Sequence, residues 1–265
     1  MRAADKLNRV QSNVTTRVKQ MEQKLEVALF RRRGRSLILT EAGRVFQIHA
    51  ERLLRLADEA ESAMKSACIH GPIHLGTMES TIASRLPPLL TRFHAQHPDI
   101  RLRIETGTTD ALLKAVREHR LDAAFVGEPC LFSGLQNRPV FHENLVLITA
   151  KGHQPITTPQ DISNKSLLVF NKGCAYRKTL EDWFSDHDLA FEQAVELASY
   201  QAIIACAAAG SGCGIVPASV LETTLAAQEV EKHKLPARFA NNTTHLVWDV
   251  ENTDKLYPLF KLIAD

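Results

Sequence analysis

From Thr40 to Ala67 the sequence has no proline and, after Gly43, no glycine. Nothing in that stretch interrupts a single helix about 40 Å long at 1.5 Å per residue. Val45, Phe46, His49, Leu53, Leu56, Ala60, Ala63 and Ala67 form one seam along it, with Arg44, Arg52, Arg55, Asp58, Glu59 and Glu61 mostly off the seam. A rod of this length outruns any small domain at its end. Pairing with a second copy is the economical way to cover the seam, so the run reads as a linker and dimerisation helix over 40–69. Packing against the chain's own C-terminal part is the alternative. Thr40 supplies the N-cap, and Cys68-Ile69-His70-Gly71-Pro72 ends the helix. The chain therefore divides into a head before the rod and a body after it. His70 and His74 have an HxxxH spacing, but the intervening Gly-Pro denies them a common helix face, so no metal site is expected.

In the head, Val14, Val18, Met21, Leu25 and Leu29 recur at helical spacing, predicting a helix over Val10–Leu25. Its other face carries Gln11, Ser12, Asn13, Thr15, Thr16, Arg17 and Lys19, amides and hydroxyls set among cations. Such a face suits the DNA major groove, where short polar side chains reach base edges and cations meet phosphates. The same pattern also fits an ordinary solvated face. The residues just beyond the helix favour the groove: Arg31, Arg32, Arg33 and Arg35 surround Gly34 between Phe30 and the strand-like Ser36–Leu39. That order describes a basic wing able to lie along phosphates beside a recognition helix.

Charge is segregated in the same way. Residues 1–55 carry 13 Lys+Arg against 5 Asp+Glu, a balance of +8, while the remainder carries 19 against 25, a balance of −6. A polyanion partner is expected for the head alone. The five cysteines, Cys68, Cys130, Cys174, Cys206 and Cys213, form no CxxC and no metal-ligand spacing, as expected of reduced thiols in a cytoplasm. No signal peptide and no membrane-spanning run are present in the sequence.

Beyond Pro72 short apolar runs alternate with amphipathic ones. Strands are expected at Ile73–Gly76, Ile100–Glu105, Asp122–Val126, Leu145–Thr149, Ser166–Phe170, Ala194–Leu197, Gly214–Val216 and His245–Asp249. Helices are expected at Ser80–His97, Asp110–His119, Ala175–His187, Tyr200–Ala209, Pro217–Ala226 and Leu256–Ala264. This is an α/β body on a parallel sheet. In such sheets ligands gather beyond the carboxyl ends of the strands. Four such ends are rich in hydroxyls or amides, placing Glu79, Ser80 and Thr81, then Thr108, then Asn171, Cys174 and Tyr176, then Ser199 and Tyr200 around a small polar ligand. Taken singly, Ser80, Thr109 and Ser199 read equally well as helix caps. Glu79 and Glu128 give the cleft carboxylates, and Lys172 and Arg177 give it cations. An amine-bearing or zwitterionic metabolite suits both signs, as do other ligands.

The segment AADKLNRVQSNVTTRVKQMEQKLEVALFRRRGRSLILTEAGRVF resembles, without a gap, the winged helix-turn-helix of LysR-type transcriptional regulators. Ala209-Gly210-Ser211-Gly212 through Pro217 resembles the family's AGxGxxxxP signature. The resemblance implies a DNA-binding domain over 1–43, a linker helix over 40–69 and an effector-binding domain over 72–265. That last domain would comprise two Rossmann-type subdomains like those of periplasmic binding proteins. Subdomain I would take 72–144 and 245–265 and subdomain II 145–244, with Leu145–Thr149 and His245–Asp249 as the crossovers. It also implies double-stranded DNA as partner, a small-molecule effector in the cleft, a homodimer or homotetramer, no cofactor and a cytoplasmic location. Ser80, Thr81 and Thr108 match the family's strand-end hydroxyls, and the Asn171–Arg177 loop with Ser199-Tyr200 matches the facing wall. Family members begin with one more helix than this sequence shows before Ala3-Ala4, so the first helix of the domain is expected to be lacking through a misplaced start codon. GxxESTxxxRLP, CxYRxxxEDWF and SYxxxxACxxAGxG look most like a branch that includes a regulator of putrescine utilisation.

Enzymatic readings fare worse. His142, His153 and His187 sit in no nucleophile motif, and the sequence has neither a GxSxG elbow nor a P-loop. Cys174, close to Arg177 and Lys178, is the best nucleophile candidate, since cations lower a thiol's pKa. Its regulatory version is a thiol redox sensor, and a small-molecule binder without DNA binding is the other alternative.

Overall fold

The computed structural model describes Ala4 and residues 8–34, 36–65, 72–190 and 193–264. The chain forms two compact units, Met1–Glu61 and Ser62–Asp265. Arg35, Ala67 and the expected helix break at 68–71 lie outside the described residues, as do the side chains at 55, 58, 59 and 62–65.

In the first unit, helix α1 spans Gln11–Leu25 and stops where Glu26 turns left-handed at φ 54°. Two short strands, β1 (Phe30–Arg33) and β2 (Ser36–Leu39), pair antiparallel around Gly34, whose φ of +63° favours glycine. Three of the expected wing cations therefore lie on a strand rather than on the turn. The Glu22 carboxylate accepts from the backbone N–H of Leu29 at 2.8 Å and of Phe30 at 3.1 Å, tying the ribbon to α1. Thr40 caps the long helix α2 (Glu41–Lys65) by accepting from Gly43 N at 2.9 Å while its hydroxyl donates to Ala28 O at 2.6 Å. Gly43 is required there, because an added Cβ would overlap the Leu29 carbonyl. Among the described side chains of the expected seam, Val45 at 51%, Leu53 at 67% and Leu56 at 62% are exposed, while Phe46 is half-buried.

The second unit contains, in order, β3 (Ile73–Thr77), α3 (Glu79–Ser84), α4 (Leu86–Gln96), β4 (Leu102–Thr106), α5 (Thr109–Arg117), β5 (Ala123–Gly127) and β6 (Gln136–Ala150). It continues with β7 (Leu167–Phe170), α6 (Ala175–Ser185), β8 (Ala194–Leu197), α7 (Tyr200–Ala208), β9 (Cys213–Pro217), α8 (Ala218–Leu221), β10 (Val230–Lys234), α9 (Ala237–Ala240), β11 (Asn241–Trp248) and α10 (Tyr257–Ala264). The strands run β4-β3-β5-β11-β6-β9-β7-β8, with β10 also on β6. β3, β4 and β5 are parallel, as are β7, β8 and β9, but β6, β10 and β11 run antiparallel to their neighbours, so the sheet is mixed rather than parallel. Residues 136–144 of β6 pair with β11, and residues 145–150 pair with β9 and β10. One strand thus belongs to both halves of the unit.

Several expected elements differ. The single helix over Ser80–His97 is two, broken at Arg85, because Pro87 and Pro88 cannot continue a helix but suit the first turn of a new one. The strand expected at Leu145 begins nine positions earlier, at Gln136, and β10 is a strand that the sequence pattern does not show. Pro217–Ala226 is a single short turn, α8, followed by a 3-10 segment at Leu225–Glu229. β11 starts at Asn241, so the return crossing falls ahead of the expected His245.

The Arg85 guanidinium donates to buried Glu143 on β6 at 2.7 and 3.2 Å, Ser219 of α8 donates to Glu143 at 2.7 Å, and the Ser84 and Ser219 hydroxyls lie 3.2 Å apart. This polar cluster joins α3, β6 and α8 across the two halves. A second one fixes β10 to β6. Ile156 N donates to His233 Nδ1 at 3.2 Å, so Nε2 carries the proton and donates to Thr149 Oγ1 at 2.8 Å. Burial, helped by nearby His153, holds the His233 pKa below its usual 6.5.

Gly43→Ala destabilises the first unit by about 1–3 kcal/mol through overpacking against backbone, read as a lower urea midpoint; an unchanged midpoint refutes the close approach. Because folded His233 resists protonation more than unfolded His233 does, its stabilising effect is full above its ordinary pKa and is lost as pH falls from there through its lowered folded value. Urea titrations between neutral pH and about pH 5 therefore show a smaller acid loss in His233→Asn than in the wild type.

Candidate effector cleft and nucleic-acid face

In the second unit the four strand ends converge. α5 reaches the opposite half where Asp110 N donates to Gly173 O at 3.2 Å. α3 does so where the Glu79 carboxylate accepts from Tyr200 N at 3.3 Å and from Ser199 Oγ at 3.4 Å, at the start of α7. Gly173 has φ +85°, and an added Cβ would stand 3.1 Å from both Asp110 and Thr108, so the approach is close. Thr108 caps α5 by accepting from Ala111 N at 3.4 Å, whereas Ser199 makes no cap bond and Ser80 lies inside α3.

Behind these bridges Ser80, Thr81, Cys174, Tyr176 and Tyr200 are all buried. The Tyr200 ring stacks on Phe170 at 5.0 Å and lies 6.2 Å from Tyr176, and its hydroxyl is 3.4 Å from Cys174 Sγ. The buried Tyr176 hydroxyl has the Ser80 and Thr244 hydroxyls as hydrogen-bonding neighbours, which only partly offset the upward push of burial on its pKa. Thr244, on β11, goes unseen in the sequence, where it is one hydroxyl in a strand-like run. Only the strand pairing brings it beside Tyr176. Thr109, which the sequence marks only as a cap, is buried and accepts from Gly127 N at 3.4 Å. Asn171 is exposed and contributes its carbonyl to Cys174 N.

The expected cleft charges distribute differently. Arg177 is held by Glu181 at 2.9 Å, Glu196 at 2.7 Å and Phe170 O at 3.2 Å. Glu128 faces His245 at 2.9 Å. Lys172 lines an outer groove of about 800 Å³ between α5 and α6, with Asp110, Arg117 and Lys178; of the expected effector residues that groove takes in only Cys174. The expected activation of Cys174 is also corrected. Burial pushes its pKa up and outweighs the lowering by Tyr200, the α6 backbone N–H groups and Arg177.

On the first unit, Gln11, Ser12, Asn13, Thr15, Thr16, Arg17 and Lys19 of α1 are exposed, as are Arg31, Arg32 and Arg33 on β1. The Thr15 hydroxyl donates to Gln11 O at 2.9 Å, which leaves its lone pairs outward. Val14 and Val18 are half-buried, and Met21 and Leu25 stay about two-fifths exposed, at 41% and 42%. Val18 and Met21 line an apolar groove with Leu29, Phe30, Leu39 and Phe46.

Two family models match this chain: "Bacterial regulatory helix-turn-helix protein, lysR family" over residues 1–44, and "LysR substrate binding domain" over residues 68–257. The HTH-type transcriptional regulator GltR of Bacillus subtilis (strain 168) is 32% identical over 247 residues, covering 93% of this chain and 83% of the relative. The HTH-type transcriptional regulator CzcR of Bacillus thuringiensis subsp. konkukian is 33% identical over 243 residues, 91% of this chain and 83% of the relative. Among solved structures, CbnR, a LysR family transcriptional regulator, is similar with TM-score 0.74 at 19% identity, covering 99% of this chain and 91% of that one. Full-length BenM is similar with TM-score 0.63 at 23% identity, covering 99% and 89%.

With its pKa raised, Cys174 in the native protein stays unmodified by iodoacetamide at neutral pH and reacts once the chain is unfolded. Peptide mass spectrometry reads this, and rapid native labelling would restore the thiol-sensor alternative.

Proposed function

Because the chain belongs to the LysR-type family of transcriptional regulators, a family of DNA-binding, effector-responsive oligomers rather than enzymes, we propose a division of labour among its residues. Ser12, Thr15 and Thr16, with Gln11 and Asn13, approach base edges in the major groove. Arg17, Lys19, Arg31, Arg32, Arg33 and Arg35 hold phosphates. The observation that carries this reading is the uninterrupted exposed polar face of α1 leading into a ribbon of exposed arginines, in a unit with a strong positive balance.

In the second unit the effector sits behind the Glu79–Tyr200 and Asp110–Gly173 bridges, among Glu79, Ser80, Thr81, Thr108, Cys174, Tyr176, Ser199 and Tyr200, with Asn171 at the rim. The domain limits are those drawn from the sequence, with the return crossing moved to the start of β11. The exposed Val45, Leu53 and Leu56 seam supports pairing of two copies through α2, as a homodimer or a pair of dimers. Among the described residues no helix is long and apolar enough to cross a membrane, and a DNA target supports a cytoplasmic location. The motifs around Glu79, Cys174 and Ser199 support placing the chain near the putrescine-utilisation branch of the family.

Duplex binding to the region upstream of its own gene, measured by fluorescence anisotropy at two salt concentrations, tests the proposal. Binding weakens steeply with salt, and replacing Arg31, Arg32 and Arg33 by Ala lowers affinity for every sequence while reducing the log–log salt slope by about one for each phosphate no longer neutralised. A folded protein with no salt-dependent affinity for any duplex refutes it.

A further inference from the structure

The outer groove between α5 and α6, about 800 Å³, has the size of a small-molecule site, roughly 300–1,000 Å³. It lies outside the Asp110–Gly173 bridge and takes one wall from each half of the second unit. In the first half Asp110, Leu113 and Arg117 recur at i, i+3 and i+7, so they share one stripe of α5 about 10 Å long. Leu113 is 3% exposed and gives this wall an apolar floor, while Leu131, 77% exposed, stands at the rim. Ala175 and Lys178, in the first turn of α6, face them from the second half.

Most charges that line the groove are already matched. Arg177 is held by Glu181 and Glu196, and Lys178 by Asp182. At the inner end Lys172 and Asp110 both line the groove beside Gly173, where an added Cβ would stand 3.1 Å from the Asp110 carboxylate, so one cation stands near one anion. Arg117, at the outer end, is different. Its guanidinium donates to Leu131 O at 2.8 Å and to Ser133 O at 3.4 Å, both neutral acceptors. Among the described residues no carboxylate pairs with it, and the other carboxylate lining that end, Glu181, belongs to Arg177. The two carbonyls fix the guanidinium against the loop that carries Leu131 and leave its Nη1 donors unused. A planar cation held in place by neutral groups, with apolar side chains beside it, suits the forked pairing of a carboxylate.

We infer that the outer groove is a second ligand site, separate from the effector position behind the bridges, and that it takes a small organic monocarboxylate, with its carboxylate on Arg117 and its apolar chain between Leu113, Leu131 and Ala175. The inference does not rest on the effector assignment. Because the walls come from opposite halves and meet where Asp110 N donates to Gly173 O, a ligand touching both binds the closed arrangement better than an open one and holds α5 and α6 together from outside.

The test titrates the full chain calorimetrically with acetate, butanoate, hexanoate and octanoate, and with alkylamines of the same lengths as controls, at constant ionic strength. Wild type is compared with Arg117→Gln, Arg117→Lys and Leu131→Asp, substitutions at exposed positions that leave the core intact. Alkanoate affinity is expected to rise about three- to fourfold with each methylene, and the amines to show no such binding. Arg117→Gln is expected to weaken octanoate binding by about tenfold or more, Arg117→Lys by less because the charge remains while the fork is lost, and Leu131→Asp to weaken it by repulsion at the rim. Amide hydrogen exchange of the peptide that contains Asp110 is expected to slow when octanoate is bound. Four results overturn the inference: no alkanoate binds the folded wild type, acetate binds as tightly as octanoate, octanoate binding is indifferent to Arg117→Gln and Leu131→Asp, or exchange at Asp110 is unchanged at saturation.

Discussion

A single 15-residue strand, β6, makes the cleft possible. Its first part completes one sheet against β11 and its last part completes another against β9 and β10. The two halves are therefore joined through one continuous strand, and their relation can change by bending where the chain crosses between them, near Asn144-Leu145 in β6 and at the start of β11. Glu143 sits at that point, buried, with Arg85 from the first half and Ser219 from the second. Removing one member of such a buried set leaves an unpaired charge, which costs more than the pair contributes. The cluster is therefore best understood as fixing geometry at the hinge.

On the far side of the hinge the contacts between halves have another character. Asp110 N to Gly173 O is a backbone bond of ordinary length, 3.2 Å, while those made by Glu79 are long. The side at Glu143 is joined by a buried ion pair, and the side at the strand ends by one backbone hydrogen bond and two long bonds to Glu79. That asymmetry suits a domain that opens and closes about one edge.

Much of this is legible in the sequence where local rules act alone. The Thr40 cap, the uninterrupted α2, the basic ribbon around Gly34 and most strand–helix alternations depend on residue type and spacing. The misreadings arise where tertiary pairing overrides pattern. Residues 136–144, QNRPVFHEN, contain a proline and several polar or charged side chains, yet form a strand because β11 lies alongside. β10, VEKHK, has no apolar alternation, but β6 supplies its partner and His233 its anchor. The break at Arg85 is available from Pro87-Pro88, and helical periodicity on both sides hides it. For the site, the hydroxyl-rich strand ends identify the converging segments, but not how their charges are satisfied. Arg177 has the sequence context of a cleft cation and is tied to Glu181 and Glu196, Cys174 has that of an activated thiol and is buried, and Thr244 gives no signal until β11 is placed.

The side at the strand ends also bounds how the cleft communicates. A ligand shifts a two-state equilibrium only by the difference in its affinity for the two states. An effector that merely replaced the Glu79–Tyr200 bond by an equivalent one would bind without closing anything further. An effector that met groups from both sides of the hinge at once would gain differential affinity, and Ser80 on α3, Tyr176 on α6 and Thr244 on β11 are placed together in that way. They come from separate elements on both sides of the hinge, so a ligand touching all three is complementary to the closed arrangement alone. Two or three net hydrogen bonds of about 0.5–1.5 kcal/mol each amount to the few kcal/mol at the upper end of typical allosteric coupling, enough to re-weight open and closed forms without any new apolar burial.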